Sequence, residues 1–166
     1  MRVAWEHKPG IGKIAARDVL EAEPFVAALV RLAPRGGQIV VARNHGAANA
    51  FVSFIGIVRG KLVLLPFQPR EYADEFSLFG SVGTGVTNAR CSRGGPLVVL
   101  GLGPTSYTGK RLSFTRTEYR LAGGRLRKTR SRTIRSSRSR IESFAHAQGF
   151  DALPFTGCVI ARGRPL

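Results

Sequence analysis

Between Lys110 and Arg140 the chain reads KRLSFTRTEYRLAGGRLRKTRSRTIRSSRSR, with twelve Lys and Arg residues against a single acid, Glu118. Charges at this density stay hydrated, so the tract reads as a solvated segment. Most of the net charge of +16 resides there. A surface of one sign repels itself, and its natural counterpart is a polyanion that gives up counterions on binding. Across the chain 21 Arg stand against 5 Lys. Guanidinium groups fork onto phosphates and stack on exposed bases, which favours RNA as the partner. A GC-rich coding sequence would also enrich Arg, Gly and Ala.

Within the tract the candidate RNA contacts are Lys110, Arg111, Arg116 and Arg120, then Arg125, Arg127, Lys128 and Arg130, then Arg132, Arg135, Arg138 and Arg140. The segment is expected to be extended or disordered when free and to order on RNA.

The fold class predicted for the remainder is α/β, with a mixed β-sheet packed by a few helices in one domain over residues 1–166. At 43% hydrophobic residues the chain can bury a core. Residues 15–33 have helical spacing, with Val19, Leu20, Phe25, Val26, Leu29 and Leu32 able to share a face and Pro24 as a kink. Residues 38–117 read as the sheet-forming core. Strands are expected at Gln38 to Ala42, Ala50 to Val58, Lys61 to Pro66, Pro96 to Leu102 and Arg111 to Thr117. Arg59-Gly60 is a two-residue hairpin turn that would expose Arg59 and Lys61 to phosphate. Arg116 would fall on the apolar face of its strand, so burial there is expected to stop at Phe114. Gln68 to Glu75 reads as a surface loop. Phe79 to Gly95 reads as a glycine-rich loop that brings Arg90 and Arg93 close to an RNA backbone. Residues 141–166 supply the C-terminal helix and basic tail. The helix spans Ser139 to Gln148, with Ile141, Phe144 and Ala145 buried and Gly149 as its stop. A strand-like piece and a tail carrying Arg162 and Arg164 follow.

Catalytic and metal-binding patterns are weak. His7, His45 and His146 are widely spaced, and Cys91 and Cys158 have no zinc-ligand spacing, so both read as reduced thiols of an intracellular protein. CSRGGPLVV places Arg93 where a GDSGGP motif has its nucleophilic serine, and Asp74 and Glu75 sit in a polar stretch. GxxGxG at Gly80, Gly83 and Gly85 has the wrong order for dinucleotide binding. No enzyme activity, cofactor, metal or small-molecule substrate is expected. No run of about 18 apolar residues could form a spanning helix, so no membrane is expected either.

Asn49-Ala-Phe-Val-Ser-Phe-Ile-Gly-Ile-Val-Arg-Gly-Lys61 is a hydrophobic strand running into Val-Arg-Gly-Lys. It is followed by Gly80-Ser-Val-Gly83, by Ala89-Arg-Cys-Ser-Arg93 with Gly95-Pro96, and by Phe155-Thr-Gly-Cys158. In that order these segments resemble the Asn-Thr-hydrophobic strand with Val-Arg-Gly-Lys, the Gly-Ser-x-Gly and Arg-Arg-Ser-Thr-Pro loop, and the His-Asn-Gly-Cys of the small-subunit ribosomal protein eleven family. The resemblance covers about Gln38 to Leu166. It implies an α/β domain on the platform of a small ribosomal subunit, mitochondrial in setting, that binds ribosomal RNA beside neighbouring ribosomal proteins. Two other readings are a small regulatory or viral accessory protein that uses the tract for RNA binding or nuclear import, with Ser136, Ser137 and Ser139 as phosphorylation targets, and a reading frame that is basic through its base composition alone.

Overall fold

Successive side chains of an extended backbone leave opposite faces, so the alternating text of residues 111–137 and the β-branched text of residues 38–64 both favour strands. The computed structural model describes residues 2–4, 11–13, 25–33, 37–45, 49–69, 76–79, 85–92, 96–104 and 111–162. Among them lie β1 (Arg2–Ala4), β2 (Ile11–Lys13), β3 (Phe25–Val30), β4 (Gln38–His45), β5 (Asn49–Val58), β6 (Lys61–Leu64) and β7 (Phe67–Gln68). They are followed by β8 (Phe76–Phe79), β9 (Val86–Cys91), β10 (Leu97–Pro104), β11 (Arg111–Ala122), β12 (Arg125–Ser137), helix α1 (Arg138–Ala147) and β13 (Val159–Arg162).

β1 and β2 form a separate ribbon. The large sheet runs β13-β3-β4-β5-β8-β9-β10-β11-β12-β7, with β6 attached to β5. Its far end is led back towards β5. Strand β6 pairs with residues 55–58 of β5, and β7, three residues further on, pairs in parallel with β12. Leu65 N–H donates to Phe54 O at 2.8 Å and Leu126 N–H to Pro66 O at 2.9 Å, bridging the two pairings. The sheet is thereby curled into a half-barrel.

Two cores follow from this curl. On one face Phe67 meets Phe54 and Tyr119 edge-on, at ring separations of 6.1 and 4.9 Å, and Phe155 meets Phe54 at 5.8 Å. On the other face Val98, Leu100, Leu112 and Phe114 are covered by Ile141 and Ala145 of α1. Strand β10 feeds both, Leu97 and Val99 into the first core and Val98 and Leu100 into the second. This explains why its text, LVVL, is a continuous apolar run. Fully burying a side chain such as Ile141 is worth about 1.5–3 kcal/mol, enough to hold a short helix against a sheet.

The expected strands form, and several are longer than the sequence indicated. The architecture is nonetheless mostly β, with one helix among the described residues where a few were expected. Phe25–Val30 is strand β3 rather than part of a helix. A short apolar run such as FVAALV satisfies either period, and pairing with β4 and β13 decides it. Residues 15–24 lie outside the described residues. The glycine-rich region contains strand β9, so Arg90 sits in a sheet rather than on a loop. Residues 70–75 of the expected loop are not described, and its first residue, Gln68, belongs to β7. Burial along β11 does not stop at Phe114. Thr117 and Tyr119, on the opposite face from Arg116, are 4% and 0% exposed.

The two cysteines are joined, which corrects their reading as reduced thiols. Residues 89–91 and 155–158 run side by side, with Phe155 N–H donating to Ala89 O at 2.6 Å and Cys91 N–H to Thr156 O at 2.9 Å. This brings Cys91 and Cys158 to a Cα separation of 5.3 Å and links them by a disulfide, within the ordinary range for one. The pairing is made by tertiary contact over a separation of 67 residues, which spacing rules cannot detect. Gly157 makes the approach possible. Its φ is +89°, and a Cβ there would lie 2.6 Å from the Cys91 carbonyl oxygen.

Helix α1 begins one residue earlier than its spacing predicts and ends at Ala147, with Gly149 (φ +70°) beyond it. Gly149 N–H donates to His146 O at 2.8 Å and Phe150 N–H to Ala145 O at 3.0 Å. This is a Schellman ending, and it turns Phe150 back onto the second core. Phe144 is not buried. It is 38% exposed, with its ring edge-on to Phe114 at 5.4 Å.

Candidate nucleic-acid interface

The arginine tract is neither a tail nor a loop. It is the hairpin β11–β12, in which Ala122 pairs with Arg125 across a turn made by Gly123 and Gly124. Their φ values are +59° and +71°, the left-handed pair that a two-residue hairpin turn requires and that glycine adopts without strain. The part expected to be disordered from Arg125 onward is strand up to Ser137 and helix after it. Tyr119 and Leu126 anchor it by filling the first core.

A β-bulge gives the hairpin its charge pattern. Glu118 is opposite Arg130 and Tyr119 is opposite Lys128, so Thr129 is the extra residue of β12. Its hydroxyl donates to Glu118 O at 3.2 Å. Arg125 and Arg127 have odd numbers while Arg130 and Arg132 have even ones, and an unbroken strand would send the two pairs to opposite faces. The bulge re-phases the alternation and puts all four on one face. Arg116 and Arg120 of β11 join them there, opposite Arg132 and Arg127. Arg90 extends the same face two strands away, since it pairs with Val98, which pairs with Glu118.

Six hairpin guanidinium groups therefore share a face with one carboxylate. Arg116 Nη1 donates to Glu118 Oε1. Arg120, Arg125, Arg127, Arg130 and Arg132 are exposed. Like charges directly opposite in a sheet each cost about 0.2–1 kcal/mol, and Arg116/Arg132 and Arg120/Arg127 are two such pairs. Arg90 and Arg116 also crowd each other. Burial lowers the Arg90 guanidinium from its ordinary range, and the Arg116 charge lowers it further. The Nε atoms of both are buried without a hydrogen-bond partner. Asn88, next along β9 on the same face, is committed elsewhere. Its Nδ2 donates to Phe150 O at 2.6 Å and Ala152 O at 2.7 Å, holding the segment after α1 against the sheet.

The other candidates are more scattered. Arg111, Lys128 and Arg135 lie on the opposite face of the hairpin by register. Arg138 and Arg140 are on α1, where Arg138 Nη1 pairs with Glu142 Oε1 at 3.3 Å. Arg59 and Lys61 are exposed at the β5–β6 turn, where Arg59 has φ +50° as a two-residue turn demands. A Cβ on Gly124 would come within 3.1 Å of Val58, so this tip abuts the arginine hairpin's own turn. Arg162 belongs to β13 and donates to Pro154 O at 3.5 Å. Arg93, Lys110 and Arg164 lie outside the described residues, as do the glycine-rich stretches 80–84 and 93–95.

At the foot of the ladder a cleft of ≈ 330 Å³ opens between hairpin and helix. Phe114, Ile134 and Phe144 form its apolar lining, and Arg116, Arg130, Arg132 and Gln148 its polar lining. Sequence reasoning did not single out Phe144, Gln148 or the Gly123-Gly124 turn as parts of a site. The diglycine between two alternating runs is a hairpin signal that would have found the turn. No protein-family model, curated protein or solved structure matches the chain.

Proposed function

We propose that this chain is a structural RNA-binding protein that lays the arginine face of β11–β12 along a phosphate backbone. The observation that carries the reading is the bulge-phased face. Six hairpin arginines share it with only Glu118, two pairs of them directly opposed. Same-face residues of a strand repeat at about 6.8 Å, so the two strands offer a double row of forked donors for successive phosphates. The cross-strand repulsion is relieved when phosphates intervene, so binding and hairpin stability are coupled. Arg59 and Lys61 extend the basic surface past the turn.

Ribosomal RNA of a small subunit is the specific form of this proposal, and the quoted motifs support it. The strand β10 stands where that family has a long helix, so the hairpin carries the RNA reading and the family likeness only narrows it. A fluorescence-anisotropy titration with a labelled folded RNA at increasing salt tests the binding. Saturable binding with a steep salt slope, tighter than to DNA duplex of equal charge, is the expected result. Equal affinity for both would leave an unspecific polycation. Co-sedimentation with small subunits through a high-salt wash tests the ribosomal form, and recovery only at the top of the gradient would discard it.

A further inference from the structure

The cleft at the foot of the arginine ladder is built differently from the ladder itself. A phosphate-only surface has no use for an aromatic floor, yet Phe114 and Phe144 line this cleft beside Arg116, Arg130 and Arg132. Phe144 stays 38% exposed although it belongs to the helix that closes the second core. Its ring is held edge-on by Phe114 at 5.4 Å, and Phe114 is held in turn by Phe150 at 6.2 Å. The Schellman turn and the two Asn88 hydrogen bonds fix Phe150 and the segment behind it. The platform is thus braced by the fold before any ligand arrives. Gln148, at the helix end, puts an amide with both donor and acceptor capacity on the same cleft.

From this arrangement we infer that the cleft seats one unpaired nucleotide of the bound RNA strand, with its base stacked on Phe144, its edge read by Gln148 and its phosphate held by Arg116, Arg130 and Arg132. The inference rests on the RNA-binding reading above and names the class of RNA: single-stranded or bulged, not continuous duplex. Aromatic stacking is how proteins take splayed bases, because every base presents a π-face. The cleft volume of ≈ 330 Å³ lies at the low end for ligand sites, which suits one base with its sugar. The buried, unpartnered Nε atoms of Arg90 and Arg116 lie on the same face, so among the described residues the fold supplies no acceptor for them.

The test compares a single-stranded RNA oligomer containing one 2-aminopurine with a duplex RNA of the same length at matched salt. The single strand is expected to bind about tenfold tighter, with quenching of the reporter base as it stacks. Phe144→Leu, which keeps an apolar contact for Phe114, should lose the quenching and about tenfold of the single-strand affinity. Its salt slope and its duplex affinity should be unchanged, and Phe144→Trp should restore the quenching. Equal affinity of the native chain for single strand and duplex, or an unaltered Phe144→Leu variant, overturns the inference while leaving the RNA-binding reading standing. Absence of salt-dependent binding to any RNA overturns both.

Discussion

Removing charge from the arginine face should matter far more than removing the same charge elsewhere. The perturbation is Arg125, Arg127, Arg130 and Arg132 to Gln. All four are exposed and, through the bulge at Thr129, on one face. Its control is Arg111, Arg135, Arg138 and Arg140 to Gln. These four are also exposed, with the first two on the opposite face and the last two on α1. Both variants lower the net charge by the same amount, so any mechanism that depends only on total charge predicts identical behaviour. If each face arginine meets one phosphate, each contributes about 0.7 to the slope of log K against log salt on a single strand. The face variant should then lose about 3 from the slope, and between 50 and 200 mM salt its affinity should fall much less steeply than the native chain's. The control should lose under about 1. The measurement is anisotropy at several salt concentrations, with circular dichroism to show that both variants keep the sheet. Equal slopes for the two variants would refute the argument, because the face selected by the bulge would then have no privileged role.

Three further substitutions test the frame that holds this face. Gly157→Ala puts a Cβ 2.6 Å from the Cys91 carbonyl oxygen at φ +89°; with left-handed strain alone costing about 1–2 kcal/mol, denaturant unfolding should show a loss of about 2–4 kcal/mol. Replacing Cys91 and Cys158 together by Ser opens a cross-link spanning 67 residues and should cost about 4 kcal/mol on the chain-entropy model. Reductant should produce a similar loss in the native chain and none in the variant. Arg90→Met keeps an unbranched aliphatic stem and removes the guanidinium that lies against Gly149, whose charge burial and Arg116 both disfavour. Its melting temperature at low salt without RNA should rise, and a fall would show that Arg90 has a compensating partner in the free protein.

How much of this was legible follows from what each feature depends on. Strand text is local, so β4, β5, β6, β10 and the start of β11 could be read from residue types, and so could the Arg59-Gly60 turn and the Gly149 stop. β3 could not, because FVAALV becomes a strand only through its neighbours. Neither could the disulfide, because it depends on residues 155–158 lying beside β9. The arginine tract shows the limit most clearly. Its charge marked it as a solvated stretch, and the same charge hid that it was a strand pair. The apolar residues that commit it to the sheet, Phe114, Tyr119, Leu126 and Ile134, are few and lie on alternating faces. Tyr119 and Leu126 pin the turn end into one core, Phe114 and Ile134 pin the far end under α1, and the bulge lies between them. Each anchor pair must face a different core across an extra residue, so the phase of the arginines between them is fixed by packing. The gathered charge is therefore a consequence of how the hairpin is buried. A substitution that moves the bulge would scatter the arginines over both faces without changing a single charge.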